Sequence, residues 1–223
     1  WYNFSKFNSL SFIPKNVKIL EEKTLIMPNL GQSANLQFLK YNKDQKQNFI
    51  KKVINHIHQI HNLDRSSLIN YANFKLYVQK VLDRTLPYRK MIRCFNKKLV
   101  KINGKEMINP FENFENLIKD LNLIRNCDWA IVHGDVTLSN ILIDGDLFFI
   151  DPRASLGLGF DMFGDPIYDF AKLYYSIIDG YDSINTRQFR ISYHGDEIKL
   201  TDFYDPQSEK IFFHECKCSK KEI

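Results

Sequence analysis

A chain of 223 residues, 44% hydrophobic and 26% charged, is long enough for one good-sized core or two small lobes. Eighteen Phe and eleven Tyr argue against disorder over most of the length. A net charge of +5 with no clustered basic stripe argues against a nucleic-acid partner. No run reaches the roughly 20 apolar residues of a membrane span. The four cysteines (Cys94, Cys127, Cys216, Cys218) show no framework spacing, which fits a reducing, cytoplasmic compartment. His214, Cys216 and Cys218 stand close together, but C-x-C is a poor match to zinc spacing and no second ligand pair is near.

In chain order, Trp1 to Ser11 reads as the end of a helix. Val17 to Leu20 and Thr24 to Met27 read as two short strands around a charged turn, ended by the breaker Pro28-Asn29-Leu30-Gly31. From Ala34 to about Asn62, Leu36, Leu39, Phe49, Val53, Ile54, Ile57 and Ile60 recur at helical intervals, and the polar stretch between them predicts two helices. His58 and His61 share a helix face at i, i+3, read as solvated together with His56. A further helical stretch covers Ser67 to Phe95, interrupted at Pro87, and another covers Phe111 to Arg125. Between them, Asn103-Gly104 joins two short apolar strands as a hairpin.

The chemically informative stretch follows. Trp129–Val132 is a short buried strand that delivers His133-Gly134-Asp135. Ile141–Ile143 and Leu147–Ile150 form a hairpin around Asp144-Gly145, and the returning strand delivers Asp151. A helix is predicted from Pro166 to about Ile178, stopped by Gly180. Phe189 to Leu200 reads as a hairpin turning at Gly195-Asp196, and the Lys/Cys/Glu-rich tail reads as frayed.

Phosphoryl transfer needs a carboxylate to receive the hydroxyl proton and oxygen ligands for Mg²⁺. Protein kinases supply these as H-R-D-x-x-x-x-N followed by an Asp after the next strand. Here His133-Gly134-Asp135, Asn140 and Asp151 stand at matching offsets, and a tight hairpin brings Asn140 and Asp151 side by side. His194-Gly195-Asp196 is an internal control. Thr201 replaces the Asn, and the triplet falls in a hairpin turn, so no catalytic role is expected of it.

The stretch from Trp129 to Ser176 resembles the aminoglycoside phosphotransferase and choline kinase group, small-molecule relatives of protein kinases. The shared features are H-G-D, I-D-P at Ile150–Pro152, and Gly164-Asp165-Pro166 with Asp169. The resemblance implies an α+β, protein-kinase-like fold. Residues 1–30 would be the remnant of a small N-terminal β lobe and its hinge, and residues 31–223 a mainly helical C-terminal lobe with a catalytic hairpin. It implies Asp135 as catalytic base, Asn140 and Asp151 as Mg²⁺ ligands, and His133 and Asp169 as supports of the catalytic loop. Met27, Asn29 and Leu30 would meet ATP, or another nucleoside triphosphate, at the hinge. Arg153 is a candidate contact to phosphate or an acidic substrate, or a surface ion pair. The acceptor would be a hydroxyl-bearing small molecule such as a sugar or amino alcohol. Asp151-Pro152-Arg153 and Ala171-Lys172-Leu173 also resemble members associated with bacterial surface-polysaccharide genes. The family's Gly-rich loop and strand Lys have no counterpart before the hinge, so upstream sequence is expected to complete the lobe. The alternative is an inactive, kinase-like binding module. A protein kinase is disfavoured by the lack of an A-P-E element.

Overall fold

The structure, a computed structural model, describes all residues except 1, 3, 5–6, 8, 21–23, 67–77, 92–94, 113, 115, 117–118, 120–127, 154–161, 202–205 and 220–223. The expected helix start at Ser67, most of the helix after Phe111, and Cys94 and Cys127 therefore lie outside the described residues.

Near the N-terminus, β1 (Lys18–Leu20) pairs antiparallel with β2 (Thr24–Ile26) as a two-stranded sheet with exposed side chains. The chain then passes Gly31, whose φ of 82° is open to glycine, into β3 (Gln32–Ser33). A short α1 (Asn35–Phe38) precedes the longest helix, α2 (Lys43–His61). A capping box starts α2: the Asn42 side chain accepts from Gln45 N, and Gln45 Oε1 accepts from Asn42 N, each at 2.9 Å. Such a cap is worth about 1 kcal/mol. Phe49, Ile50, Val53, Ile54, Ile57 and Ile60 make the buried stripe of α2.

Beyond β4 (Arg65–Ser66) come α3 (Lys80–Thr85), a 3₁₀ turn at Leu86–Tyr88 where Pro87 ends the helix, β5 (Leu99–Ile102) and β6 (Lys105–Ile108). The buried β7 (Trp129–Ile131) leads through a loop and a 3₁₀ turn at Leu138–Asn140 to the hairpin of β8 (Ile141–Asp144) and β9 (Asp146–Phe149). Then follow β10 (Phe163–Gly164), α4 (Ile167–Ile177), α5 (Tyr181–Asn185), β11 (Arg190–His194), β12 (Glu197–Thr201) and α6 (Pro206–Ser219). The architecture is α+β, and the strands fall into small sheets: β1-β2, β10-β7-β4, β3-β8-β9 and β11-β12-β5-β6. In the last of these β12 runs parallel to β5, with Ile198 opposite Ile102.

One hydrophobic core joins the α2 stripe to Ile131, Val136, Leu138, Ile141, Leu147 and Phe149 below the loop, and to Leu173 and Ile177 of α4. Burying each such side chain contributes about 1.5–3 kcal/mol. Two expectations are corrected here. The tail is not frayed from residue 206: α6 lies along α2, with Ile211 and Phe212 in the core and Gln47 Nε2 donating to Glu215 Oε1 at 2.9 Å. The first residues are not the end of a long helix. Among those described, only a 3₁₀ turn forms at Phe7 and Ser9, and Phe7, Leu10, Phe12 and Ile13 drive into the same core. Their apolar spacing suits an irregular segment pinned by burial as well as it suits a helix.

Candidate active site

Strand β7 is buried at every position, between β10 and β4, and so fixes where its C-terminal end points. The chain leaves it at His133, turns at Gly134 with φ 80°, and presents Asp135. This loop lacks a sheet partner for its backbone donors, and the Asp169 side chain supplies the acceptors. Asp169 Oδ2 accepts from His133 N at 2.9 Å and Oδ1 accepts from Gly134 N at 2.7 Å. His61 Nε2, from the end of α2, stands 3.0 Å from the same Oδ2. Asp169 is fully buried. Burial alone would raise its carboxyl, but the His61 hydrogen bond and the surrounding donors outweigh it and hold the group below the ordinary carboxylate value. One buried carboxylate thus ties the His133–Asp135 loop to α2 and α4.

His133 is buried, with its ring edge-on to Phe149 at 5.6 Å, and burial pushes its imidazole below its usual value. Its carbonyl accepts from Arg153 N at 2.8 Å, so the segment after Asp151 folds back onto the loop.

Below the loop, Asn140 ends the 3₁₀ turn. Its Nδ2 donates to the Asp135 carbonyl at 2.9 Å, and its own carbonyl accepts from Ile150 N at 3.0 Å. The β8–β9 register runs from Asp144↔Asp146 at the Gly145 turn to Ile141↔Phe149, so residues 140 and 150 meet at the open end. Asp151 follows, exposed and with a left-handed φ of 54° that is unusual before proline, one residue past the Ile150 that bonds the Asn140 carbonyl. Asp151 N donates to the Tyr2 hydroxyl at 3.1 Å. Burial pushes the Tyr2 phenol above its usual value.

The Asp135 carboxylate faces two cations. Lys172 Nζ, on α4, lies 2.8 Å from Oδ1, and Arg153 Nη2 lies 3.3 Å from Oδ2. The Lys172 ammonium also rests over the rings of Tyr175 and Tyr181, at 5.3 and 5.5 Å from their centroids. Ser176 and Asp182 brace the loop from beneath: Ser176 Oγ accepts from Leu138 N at 2.8 Å, and Asp182 Oδ1 accepts from Ser139 N at 3.1 Å.

The segment of Met27, Asn29 and Leu30 runs directly into this assembly. Gln32 and Ser33 of β3 pair with Ile143 and Leu142, and Ser33 Oγ donates to the carbonyls of Leu138 and Ser139 at 3.1 and 3.2 Å. Gly31 lies so close to the hairpin that a Cβ there would stand 2.0 Å from the Ile143 carbonyl oxygen. Asn29 Oδ1 accepts from Gly31 N at 3.2 Å. Asp135, Asn140, Asp151, Arg153, His133 and Asp169 are thus brought together, and the segment after Met27, Asn29 and Leu30 joins the edge of the same hairpin.

His61 and Lys172 escaped the sequence reading. The histidines were expected on a solvated face, yet His61 is buried on Asp169 and His56 is buried in a 3.9 Å stack on Phe12. Burial lowers the His56 pKa from 6.5 to about 4. The signal was present: His56 and His61 fall within the stripe of Val53, Ile57 and Ile60. The second triplet, His194-Gly195-Asp196, is exposed throughout at the β11–β12 turn, where Asp196 pairs with Lys97.

A sequence model of the phosphotransferase enzyme family (APH) matches residues 72–199, more than half of the chain. No curated protein matches the chain.

Proposed function

Because the chain belongs to the phosphotransferase enzyme family, we propose that it moves the γ-phosphoryl group of ATP, or of another nucleoside triphosphate, onto a hydroxyl of a small molecule such as a sugar or amino alcohol. The observation that carries this reading is the clamped loop. Asp169 holds the backbone of His133 and Gly134, and Asn140 Nδ2 holds the Asp135 carbonyl, so Asp135 is presented in a fixed pose, with Asp151 one residue beyond the Ile150 that bonds Asn140.

In this reading Asp135 accepts the proton of the acceptor hydroxyl and aims its oxygen at the γ-phosphorus. A bond forms between that oxygen and phosphorus as the bond to the β–γ bridging oxygen breaks. The nucleoside diphosphate leaves, and the proton passes from Asp135 to solvent. Arg153, within 3.3 Å of Asp135, is placed to meet the transferring group.

The donor set suits Mg²⁺. Asn140 Nδ2 is committed to the Asp135 carbonyl, so Oδ1 is left for a cation, and the exposed Asp151 follows the Ile150 that bonds the Asn140 carbonyl. Among the described residues no three His, Cys, Asp or Glu side chains cluster as a metal site. Mg²⁺ does not need such a cage: one or two protein oxygens with phosphate and water suffice. When bound, the ion would neutralise the charge of the phosphates.

The hinge at Met27, Asn29 and Leu30 would meet the base through backbone groups. The pairing of β3 with β8 supports that assignment. The division into a β-lobe remnant (1–30) and a kinase-like lobe (31–223) belongs to the same reading. So does an upstream segment that completes the nucleotide lobe, for which the exposed faces of β1 and β2 leave room. The rival reading is a binding module without turnover, favoured by one observation: Asp135 is already held between Lys172 and Arg153.

Transfer of labelled γ-phosphate by the full-length protein to a panel of hydroxyl compounds, with and without Mg²⁺, separates the two. Acceptor-dependent transfer that disappears in Asp135→Asn is expected. Nucleotide and acceptor binding with no transfer in either form would leave the binding module standing.

A further inference from the structure

The surroundings of Asp135 are cationic well beyond what its own charge requires. Arg153 and Lys172 already balance the carboxylate twice over. A third cation joins them from α3: Lys80 Nζ stands over the Tyr168 ring at 5.8 Å from its centroid, and Tyr168 lies in the first turn of the helix that carries Lys172. Burial comes first, then repulsion from Arg153, Arg84 and Lys172, in holding the Lys80 ammonium below its usual value, and Arg84 follows Lys80 by one turn on the same face of α3. Burial likewise comes first in raising the Tyr168 phenol above its usual value, and the charges of Arg153, Asp135 and Arg84 act on it as well.

Four carboxylates on these elements are already committed to partners of their own, and Asp151 and Asp179 are exposed to solvent. Asp169 is consumed by His61 and the loop backbone. Asp182 holds Ser176 and Ser139 N, the buried Asp165 accepts from Ile167 N at 3.0 Å, and Asp83 accepts from Gln79 at 2.7 Å. A group of partly desolvated like charges is costly unless an anion visits it. The cations come from α3, α4 and the segment after Asp151, and not from the hinge side, where β3 enters.

We propose that Lys80, Arg84, Arg153 and Lys172 form an anion-recognising acceptor subsite, so that the acceptor is a hydroxyl compound bearing a phosphate or a carboxylate rather than a cationic amino compound. Tyr168, Tyr175 and Tyr181 supply flat faces beside it. Tyr175 and Tyr181 lie 4.7 Å apart between centroids with Lys172 over both, so a cationic acceptor would have to displace an ammonium already seated there. An anionic acceptor draws Lys172 and Arg153 partly off Asp135 and so frees the carboxylate for the incoming hydroxyl. This inference rests on the phosphotransferase reading for its orientation, but its recognition step is measurable without turnover.

The test compares a hexose, its 6-phosphate, its uronic acid and its 2-amino analogue, both as binders by calorimetry and as acceptors of labelled phosphate. The full-length protein is used with Lys80→Gln, Arg84→Gln and the double variant, and with the exposed Lys51→Gln as control. The 6-phosphate or the uronic acid is expected to bind at least about tenfold more tightly than the hexose, with added salt weakening that preference. The contrast between these two arms tells phosphate from carboxylate. The double variant is expected to cut the anionic-to-neutral ratio about tenfold or more, leaving the KM for ATP in place, while Lys51→Gln keeps the ratio. Preferred binding of the amino analogue or the neutral hexose would overturn the proposal, as would a ratio indifferent to both substitutions. Anion binding lost in the double variant, without any phosphate transfer, would keep the subsite and overturn the phosphotransferase reading instead.

Discussion

The chain contains the triplet His-Gly-Asp twice, at 133–135 and at 194–196, and the two copies share their local geometry. In both the glycine takes a left-handed φ, 80° at Gly134 and 60° at Gly195. What differs is everything around them. The first copy leaves a buried strand, and its backbone is held by a buried carboxylate from α4. Its aspartate meets Lys172 and Arg153, and the open end of a hairpin lies below. The second turns a solvated hairpin, and its aspartate pairs with the half-buried Lys97. A tripeptide therefore specifies a turn, and the clamp beneath it specifies a site.

The sharpest way to break this comparison is to neutralise each aspartate in turn. Asp135→Asn should lower phosphate transfer about 10²–10⁴-fold with thermal stability retained. Asp196→Asn should leave transfer unchanged and stability within about 0.5 kcal/mol, since exposed ion pairs contribute little. Equal losses in both would end the distinction.

Next in size is the clamp. Asp169→Ala leaves two backbone donors and His61 without their acceptor in a buried setting. It should cost about 3–5 kcal/mol by urea unfolding, whereas a shift under 1 kcal/mol would show that the loop holds itself.

A smaller contrast uses glycine. Gly31 and Gly195 both have positive φ, but only at Gly31 would a Cβ meet backbone, 2.0 Å from the Ile143 oxygen, while Gly195 has nothing within 4 Å. Gly195→Ala should cost about 1 kcal/mol from φ alone. Gly31→Ala should cost about 2 kcal/mol or more, because the chain entering β3 must also lift from the hairpin.

The smallest effect is a pH slope. His56 is buried as the neutral ring against Phe12, with its pKa at about 4 against 6.5 unfolded. The contribution of this neutral ring is fully present above pH 6.5 and is lost as pH falls toward 4. The loss should be about 1–2 kcal/mol after solvent screening. His56→Phe should flatten denaturation midpoints across that window. Asp169, held low, contributes below it: its stabilisation is present above the unfolded carboxylate value and fades in stronger acid.

The strand–loop–hairpin was legible because each of its signals is local: an apolar run, Asp144-Gly145 as a turn, and carboxylates at fixed offsets. The α+β character and both exposed hairpins followed from the same kind of short-range pattern. Asp169 and Arg153 were expected through the family resemblance, whereas His61, Lys172, Ser176 and Asp182 were not legible. His61 and Asp169 stand 108 residues apart, and nothing in either neighbourhood names the other. Lys172 looks like a solvated helix residue until α4 is docked with Asp135 in front of it. The tail misled for a compositional reason. Its lysines and glutamate hid the spacing of Ile211, Phe212 and Cys216, which turn one face of α6 to the core.

The join between β3 and β8 has a bearing on how the molecule comes into being. Ser33 reaches Leu138 across 105 residues, and Tyr2 reaches Asp151 across 149. Contacts of such long range must wait for loop closure and slow folding. During synthesis, α2 and its cap can form early. Strand β3 stays without its partner until the β8–β9 hairpin has left the ribosome, and the His133–Asp135 loop stays slack until Asp169 follows. The site is thus among the last parts of the protein to exist, and a nascent chain stopped short of α4 would carry every residue of the triplet with none of its geometry.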